Sequence, residues 1–379
     1  MRWAEYVLTK GTNPCRQFWE SYFQEEKDVL YILGVGFDPR TVTGINTIYT
    51  INGTGKRDAI LLRYYQSEEE KTVTPEESVS NHQKEIIDLL NRKGAKHCIV
   101  PLIVRSNEEK SIASIKAYSI ITGIDDLANY SDIVVDVSAM PRGVFIPLLN
   151  KLLQIIDESN FKNPKRVINL HVVVSENFRL DAKIEDDGTE QTAEFIHGLS
   201  IPDITNTKDF KEVWIAVLGE RQLEQFTKIK TSVKPVSTCI VLPFPSENLR
   251  RGDELINFYQ DKLLNDTDFD FRNIIYADEQ NPFQVYRLIK NAIERYNQSF
   301  KLLGGCKVVV SSLSSKLLTI GTFLAVYEIK MKERELRSLK IGIKHVESIG
   351  HKFDQVSLDK DILQSNELFH LWVAGFPYL

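Results

Sequence analysis

The 379-residue chain has no apolar run of the length a membrane span requires, and its first residues, Met1-Arg2-Trp3-Ala4-Glu5, lack the apolar core of a secretory signal. These absences lead us to expect a cytoplasmic protein that does not enter a membrane. Cysteine is scarce: Cys15, Cys98, Cys239 and Cys306 form no CxxC pair, and no histidine stands at ligand spacing from them. That excludes a disulfide framework and a zinc ribbon, and reads as free thiols in a reducing compartment, with no metal site. Excess positive charge is absent too. A net charge of −5 and a pI near 5.9 exclude bulk coating of duplex nucleic acid. Nor is there a G-x-S-x-G, an H-E-x-x-H or a cysteine–histidine pair to mark a catalyst.

With 42% hydrophobic and 26% charged residues, the chain can bury two ordinary cores. Short β-branched runs alternate with longer amphipathic stretches, the signature of βαβ units around a parallel sheet. The first half offers strands at Val29–Gly34, Ala59–Tyr65, His97–Val104, Asp132–Val137 and Val167–Val174. Helical patterns between them begin at Asp38-Pro39, run from Pro75 to about Arg92, cover roughly Glu108–Ala128 and extend from about Arg142 to Asp157. The second half offers strands at Val213–Leu218, Thr238–Leu242, Arg272–Ala277, Lys307–Ser311 and Lys340–Val346. Its helical patterns lie near Glu220–Lys230, Arg250–Leu263, Pro282–Tyr296 and Ser314–Lys330.

Strand starts in the second half follow those in the first by 173 to 184 residues, and the same offset carries His171 onto His345. The expected fold is therefore α/β, two tandem Rossmann-like parallel-sheet halves arising from an internal duplication. The expected domains are 1–175 and 212–379, joined by a linker over 176–211 with a turn at Glu185-Asp186-Asp187-Gly188 and a second signal at Ile201-Pro202-Asp203. The aromatic lead-in (Trp3, Tyr6, Phe18, Trp19, Phe23) is expected to dock on its sheet. The apolar C-terminal segment from Phe369 to Leu379 is expected to bury against the second domain, with docking to a partner as the alternative.

In an open parallel sheet of order 3-2-1-4-5, a ligand lies beyond the carboxyl ends of the first and fourth strands. The loop after the first strand is Gly34-Val35-Gly36-Phe37-Asp38-Pro39-Arg40: two glycines for close backbone approach, Asp38 as a helix cap, and Arg40 as a counter-charge for an anion. The loop after the fourth strand is Ser138-Ala139-Met140-Pro141-Arg142-Gly143. There Asp136 and Ser138 share one face of the chain, and Arg142 opens a helix. In the second half, Ser311, Ser312, Ser314, Ser315 and Lys316 gather hydroxyls and a cation at the corresponding helix start. For each loop the competing reading is structural: Asp38 only caps a turn, and Asp136 only ties down its own loop.

Asp136–Arg142 and Val310–Lys316 resemble the loop after the fourth strand in CRISPR-associated Rossmann-fold (CARF) domains and their fused SAVED relatives. That resemblance implies a tandem sensor of a nucleotide or cyclic oligonucleotide, a component of prokaryotic antiviral defence acting with a separate effector protein. Ala139-Met140-Pro141 and Leu313-Ser314-Ser315 depart from the glycine-rich form of that loop. The missing catalytic constellation points towards binding a small anionic ligand rather than turnover. Two alternatives stay open, the first a nucleotide- or S-adenosylmethionine-dependent enzyme, a nucleotide-processing hydrolase or transferase included. Gly34-Val35-Gly36-Phe37-Asp38 resembles the glycine loop of S-adenosylmethionine-dependent methyltransferases, although Arg63-Tyr64-Tyr65 stands where an acidic residue would close the second strand. The other is a scaffold that docks a partner.

Overall fold

A computed structural model describes residues 1–378 apart from 73–75, 109, 182, 203–208, 264–267, 334 and 354–364. Pro75 and Asp203, singled out above, lie outside the described residues. The chain divides into two compact units. One comprises Glu5–Asp187 with His351–Leu379, the other Met1–Ala4 with Gly188–Gly350.

The first unit begins with β1 (Val7–Lys10) and α1 (Thr12–Tyr22). Its sheet is then built by β2 (Val29–Val35), β3 (Arg57–Tyr65), β4 (His97–Ile103), β5 (Asp132–Asp136) and β6 (Asn169–Glu176). Between these lie α2 (Thr43–Tyr49), α3 (Glu77–Arg92), α4 (Ala113–Tyr118) and α5 (Arg142–Lys162). A short turn of helix, α6 (Phe178–Asp181), and β7 (Ile184–Asp186) follow. Strands β2 to β6 are mutually parallel in the order β6-β5-β2-β3-β4, the expected 3-2-1-4-5 arrangement, with reversal between β2 and β5. Alternate residues of β2 and β3 (Tyr31, Leu33, Val35; Ala59, Leu61) bury against α1, α2 and α3 with Trp19, Phe23, Ile45, Tyr49, Ile86 and Leu90.

In the other unit, β8 (Glu194–Phe195) is followed by β9 (Lys211–Val217), α7 (Leu223–Val233), β10 (Ser237–Pro243), α8 (Arg251–Leu263) and β11 (Phe269–Ala277). Then come α9 (Pro282–Phe300), β12 (Cys306–Ser312), α10 (Lys316–Met331) and β13 (Leu339–His345). The order β11-β10-β9-β12-β13 repeats the 3-2-1-4-5 arrangement, and β8 pairs antiparallel on the β13 edge. Stereotyped right-handed crossovers produce this order with or without a duplication. Trp214, Phe226, Ile229, Leu242 and Tyr259 form the core under α7 and α8.

Three expectations are corrected. First, both chain ends cross over. The segment from Phe369 is not buried against the second domain: it belongs to β15 (Glu367–Ala374), which lies in the first sheet, antiparallel to β6 on one side and to β1 on the other. Met1–Ala4 belongs to the second unit, where the Trp3 ring meets Tyr286 edge-on at 5.2 Å. Second, the stretch 176–211 is not a plain linker. β7 pairs with β14 (His351–Phe353), β8 joins the second sheet, and the unit boundary falls at Asp187 and Gly188. Third, the helix expected over Glu108–Ala128 is reduced to α4 and a turn at Ile124–Asp126. Asp126 accepts from the backbone N–H and hydroxyl of Thr122 (2.7 and 2.8 Å), so local polar bonds replace helical ones.

No described helix is long and apolar enough to cross a membrane.

Candidate functional site

The reversal between β2 and β5 places the Gly34–Arg40 and Asp136–Arg142 loops side by side at the carboxyl edge of the first sheet. Most of their polar side chains are occupied in holding the loops. Asp38 accepts from the Arg40 backbone N–H at 2.9 Å and caps the turn Pro39–Val42. Its carboxylate also takes the Arg40 guanidinium as a fork, with Nη2 at 2.7 Å and Nε at 3.0 and 3.1 Å. Nη1 of Arg40 reaches Asp181 at 2.8 Å, and Arg40 is 2% exposed. Burial works against its charge, but Asp38, Asp181 and Glu176 outweigh burial and hold it protonated. Arg40 therefore does not serve as a counter-charge for a ligand, as the sequence suggested; two internal carboxylates already neutralise it.

Asp136 is buried. One carboxylate oxygen accepts from the Ser138 backbone N–H (3.0 Å) and the other from the Tyr31 hydroxyl (2.8 Å). Burial, then Asp136, raises the pKa of Tyr31 well above the usual phenol value, so it remains a donor. A Cβ at Gly44 would sit 2.2 Å from the Asp136 carboxylate, so glycine there lets α2 cover this bond. Ser138 is fully buried and accepts from the Ser175 backbone N–H at 2.8 Å, tying the loop to β6. Gly34 serves packing, since a Cβ there would strike the Tyr64 hydroxyl at 2.2 Å. Burial, then Asp136, raises the Tyr64 pKa as well. Arg142 is half-buried at the first position of the 21-residue α5.

Gly36 is different. A Cβ built on it meets nothing within 4 Å, and its carbonyl accepts from Nδ1 of His82 on α3 at 2.9 Å. The space beside Gly36 is open, at a position where close backbone approach by a ligand was expected.

In the second unit the loops after β9 and β12 pack directly on each other at Gly219. A Cβ on Gly219, in the loop after β9, would lie 2.2 Å from the Leu313 carbonyl oxygen and 2.8 Å from Cα of Ser314. The Tyr259 hydroxyl donates to the Gly219 carbonyl at 2.8 Å. Ser311 accepts from the Trp214 indole (3.1 Å), the Ser312 and Thr319 hydroxyls share a bond of 2.8 Å, and Ser315 caps α10. Ser314 is buried and Lys316 half-buried. Matching ligand loops in both halves were expected from the shared hydroxyl-plus-cation pattern. Ser311, Ser312 and Ser315 here bond within their own unit.

No protein-family model matches the chain, and no curated protein matches its sequence. Among solved structures, it is similar over 47% of its length to N,N-8-amino-8-demethyl-D-riboflavin dimethyltransferase (RosA) from Streptomyces davawensis, at 8% identity and a TM-score of 0.22. The match takes in 51% of that chain, about half its length. The chain is also similar to precorrin-6y C5,15-methyltransferase from Geobacter metallireducens GS-15 (12% identity, 48% of this chain and 77% of that one, TM-score 0.20). A third is the N-terminal domain of human METTL16 (11% identity, 48% and 64%, TM-score 0.20). Likeness at this level carries no inference about activity.

The two strand histidines do not share a role. His171 is fully buried between Asp132 (Nε2 to Oδ1, 3.2 Å) and His370 (Nδ1 to Nε2, 2.9 Å). Tyr22 donates to the same Asp132 oxygen at 2.6 Å, and Trp19 lies against both rings. Burial lowers the pKa of His171 and, together with His171, that of His370. His345 sits on β13 with Glu347 at 3.6 Å. Sequence reading missed the His370 and Asp132 partners because they belong to strands far apart in the chain. Among the described residues no group of three or more histidine, cysteine or acidic side chains is placed to hold a metal ion.

Proposed function

We propose that the first unit binds a nucleotide in the crevice between the carboxyl ends of β2 and β5, and that the chain acts as a ligand-responsive binding protein. The observation that carries this reading is the open space at Gly36, set against the packed loops at Gly219 under the same strand order. Support comes from the surroundings. The Asp38–Arg40–Asp181 and Tyr31–Asp136–Ser138 bonds hold both loops in place before a ligand arrives, which lowers the ordering cost of binding. The amino end of the 21-residue α5, with Arg142 at its first position, adds a helix dipole and a cation, the combination that favours a phosphate. The ligand is read mainly by backbone amides, because Asp38, Arg40, Asp136 and Ser138 are committed internally.

Calorimetric titration with ATP, NAD, S-adenosylmethionine and a cyclic oligoadenylate tests the reading. At least one should bind, and Gly36→Phe should abolish that binding while leaving the melting temperature unchanged. Absence of binding across the panel, or binding that survives Gly36→Phe, overturns it. Methyl transfer in the S-adenosylmethionine arm would assign the protein to the enzyme class instead.

A further inference from the structure

We propose that Arg63, positioned by Gln83 and Tyr65, forms an anion subsite at the carboxyl end of β3, and that the ligand of the Gly36 crevice carries a phosphate monoester on its sugar. The proposal rests on the nucleotide-binding reading and adds the ligand's charge and where that charge sits.

Arg63 is 9% exposed. Its guanidinium donates one hydrogen bond, from Nη1 to the neutral Gln83 side chain at 2.6 Å, and lies 5.4 Å over the Tyr65 ring. Among the described residues no carboxylate comes within ion-pair distance of it. Of the other two deeply buried arginines of the unit, only Arg40 is compensated by carboxylates; Arg57, at the amino end of β3 and so at the opposite sheet edge, has none among the described residues. Arg40 is clasped by Asp38 and Asp181, and Arg57 donates to the Ile48 and Ile51 carbonyls (3.4 and 2.7 Å) where α2 ends. A buried guanidinium facing one neutral amide and an aromatic ring has desolvation cost without charge compensation, which an incoming anion would supply.

Its place in the fold says which anion. Arg63 is in register with Val35, the residue before Gly36, and Gly36 is held by His82, the neighbour of Gln83 on α3. The open glycine and the uncompensated cation thus share two adjacent strand ends and one helix turn. In this strand order a nucleotide lays its ribose over the end of the second strand. A carboxylate there accepts from free ribose hydroxyls, whereas an arginine accommodates a phosphate on the sugar. The fork of guanidinium donors matches phosphate oxygens, and Gln83 holds one arm while leaving the others for them. The same argument disfavours ligands with an unmodified ribose, S-adenosylmethionine among them.

Calorimetry on the full chain with adenosine 2′,5′-bisphosphate, adenosine 3′,5′-bisphosphate and 5′-AMP decides the matter. One bisphosphate should bind about tenfold or more tightly than 5′-AMP, the gain expected from a charge-assisted bond. Arg63→Gln should bring that ratio to within about twofold while 5′-AMP binding persists, and Arg63→Lys should keep part of it, as a point charge without the fork. Equal binding of all three by the natural chain overturns the anion subsite and leaves the crevice reading standing. A preference that survives Arg63→Gln also overturns it. No binding of any, by these probes or by the panel above, overturns both. The natural-chain comparison needs no variant, so it decides even if Arg63→Gln fails to fold. Gln83→Ala, at a half-buried position, should then reduce the ratio in its place.

Discussion

Asp38 announces itself in the sequence as a cap because Pro39 follows it, and the structure bears this out at 2.9 Å. The destination of Arg40 was not legible, since Asp181 comes 141 positions later and nothing local marks it. Removing a charge from a buried, forked ion pair leaves the partner uncompensated. Arg40→Ala should therefore lower the stability of the first unit by about 3–5 kcal/mol in urea denaturation. Asp181→Asn, at a half-exposed carboxylate, should cost less than about 1 kcal/mol. An Arg40→Ala variant as stable as the parent would mean that Asp38 and Arg40 are not paired. Asp136 directs its oxygens to Ser138 and Tyr31, the bonds that the structural reading called for. Tyr31→Phe should cost about 1–3 kcal/mol by removing a buried donor from that carboxylate, and the same denaturation series reads it out.

Among elements, the strands and most helices were legible because their signals are local: β-branched runs, amphipathic period, proline at helix starts. The stretch around α4 was not, because its apolar spacing suits a helix while Thr122 and Asp126 bond to each other and to the backbone instead. The loops after the fourth strands look alike in sequence, while the second half's first loop, Gly219-Glu220-Arg221, reads as the weaker phosphate site; in space Gly219 is packed and Gly36 is open. An added methyl tests the difference. Gly219→Ala should cost about 1–3 kcal/mol, since its Cβ would press on the Leu313 carbonyl oxygen. Gly36→Ala should stay within about 0.5 kcal/mol of the parent, since its Cβ meets nothing. Thermal melts of the two variants side by side give the comparison, and equal losses would refute the contrast between open Gly36 and packed Gly219.

At the scale of the whole molecule, the last strand belongs to the first sheet. Deleting residues 367–379 strips β15 from between β6 and β1, so the first unit should lose its cooperative unfolding transition rather than merely a tail. Retention of that transition would contradict the pairing. β15 also brings His370 onto His171, with Asp132 behind. Both histidines have folded pKa values below the usual 6.5, so the folded unit refuses protons that the unfolded chain accepts. Stability should hold above about pH 6.5 and fall below it by up to about 1.4 kcal/mol per pH unit for each histidine. At lower pH the loss continues as Asp132 protonates. Burial alone would raise its pKa, but the bonds from His171, Ser131 and Tyr22 outweigh burial and keep it low. The urea midpoint of the first unit between pH 7.5 and 5 measures this, and a flat profile would exclude a neutral histidine pair. Sequence alone determined the alternation of strands and helices, their bounds to within a few residues in most cases, and the loops that face one another at each sheet's carboxyl edge. Those properties follow from side-chain periodicity and capping between near neighbours. Tertiary structure decided which sheet takes the last strand, which carboxylates take Arg40, and that Gly219 is packed while Gly36 is open. Each of these depends on contacts between residues far apart in the chain, and an apolar or charged side chain specifies that it needs a partner without specifying which one.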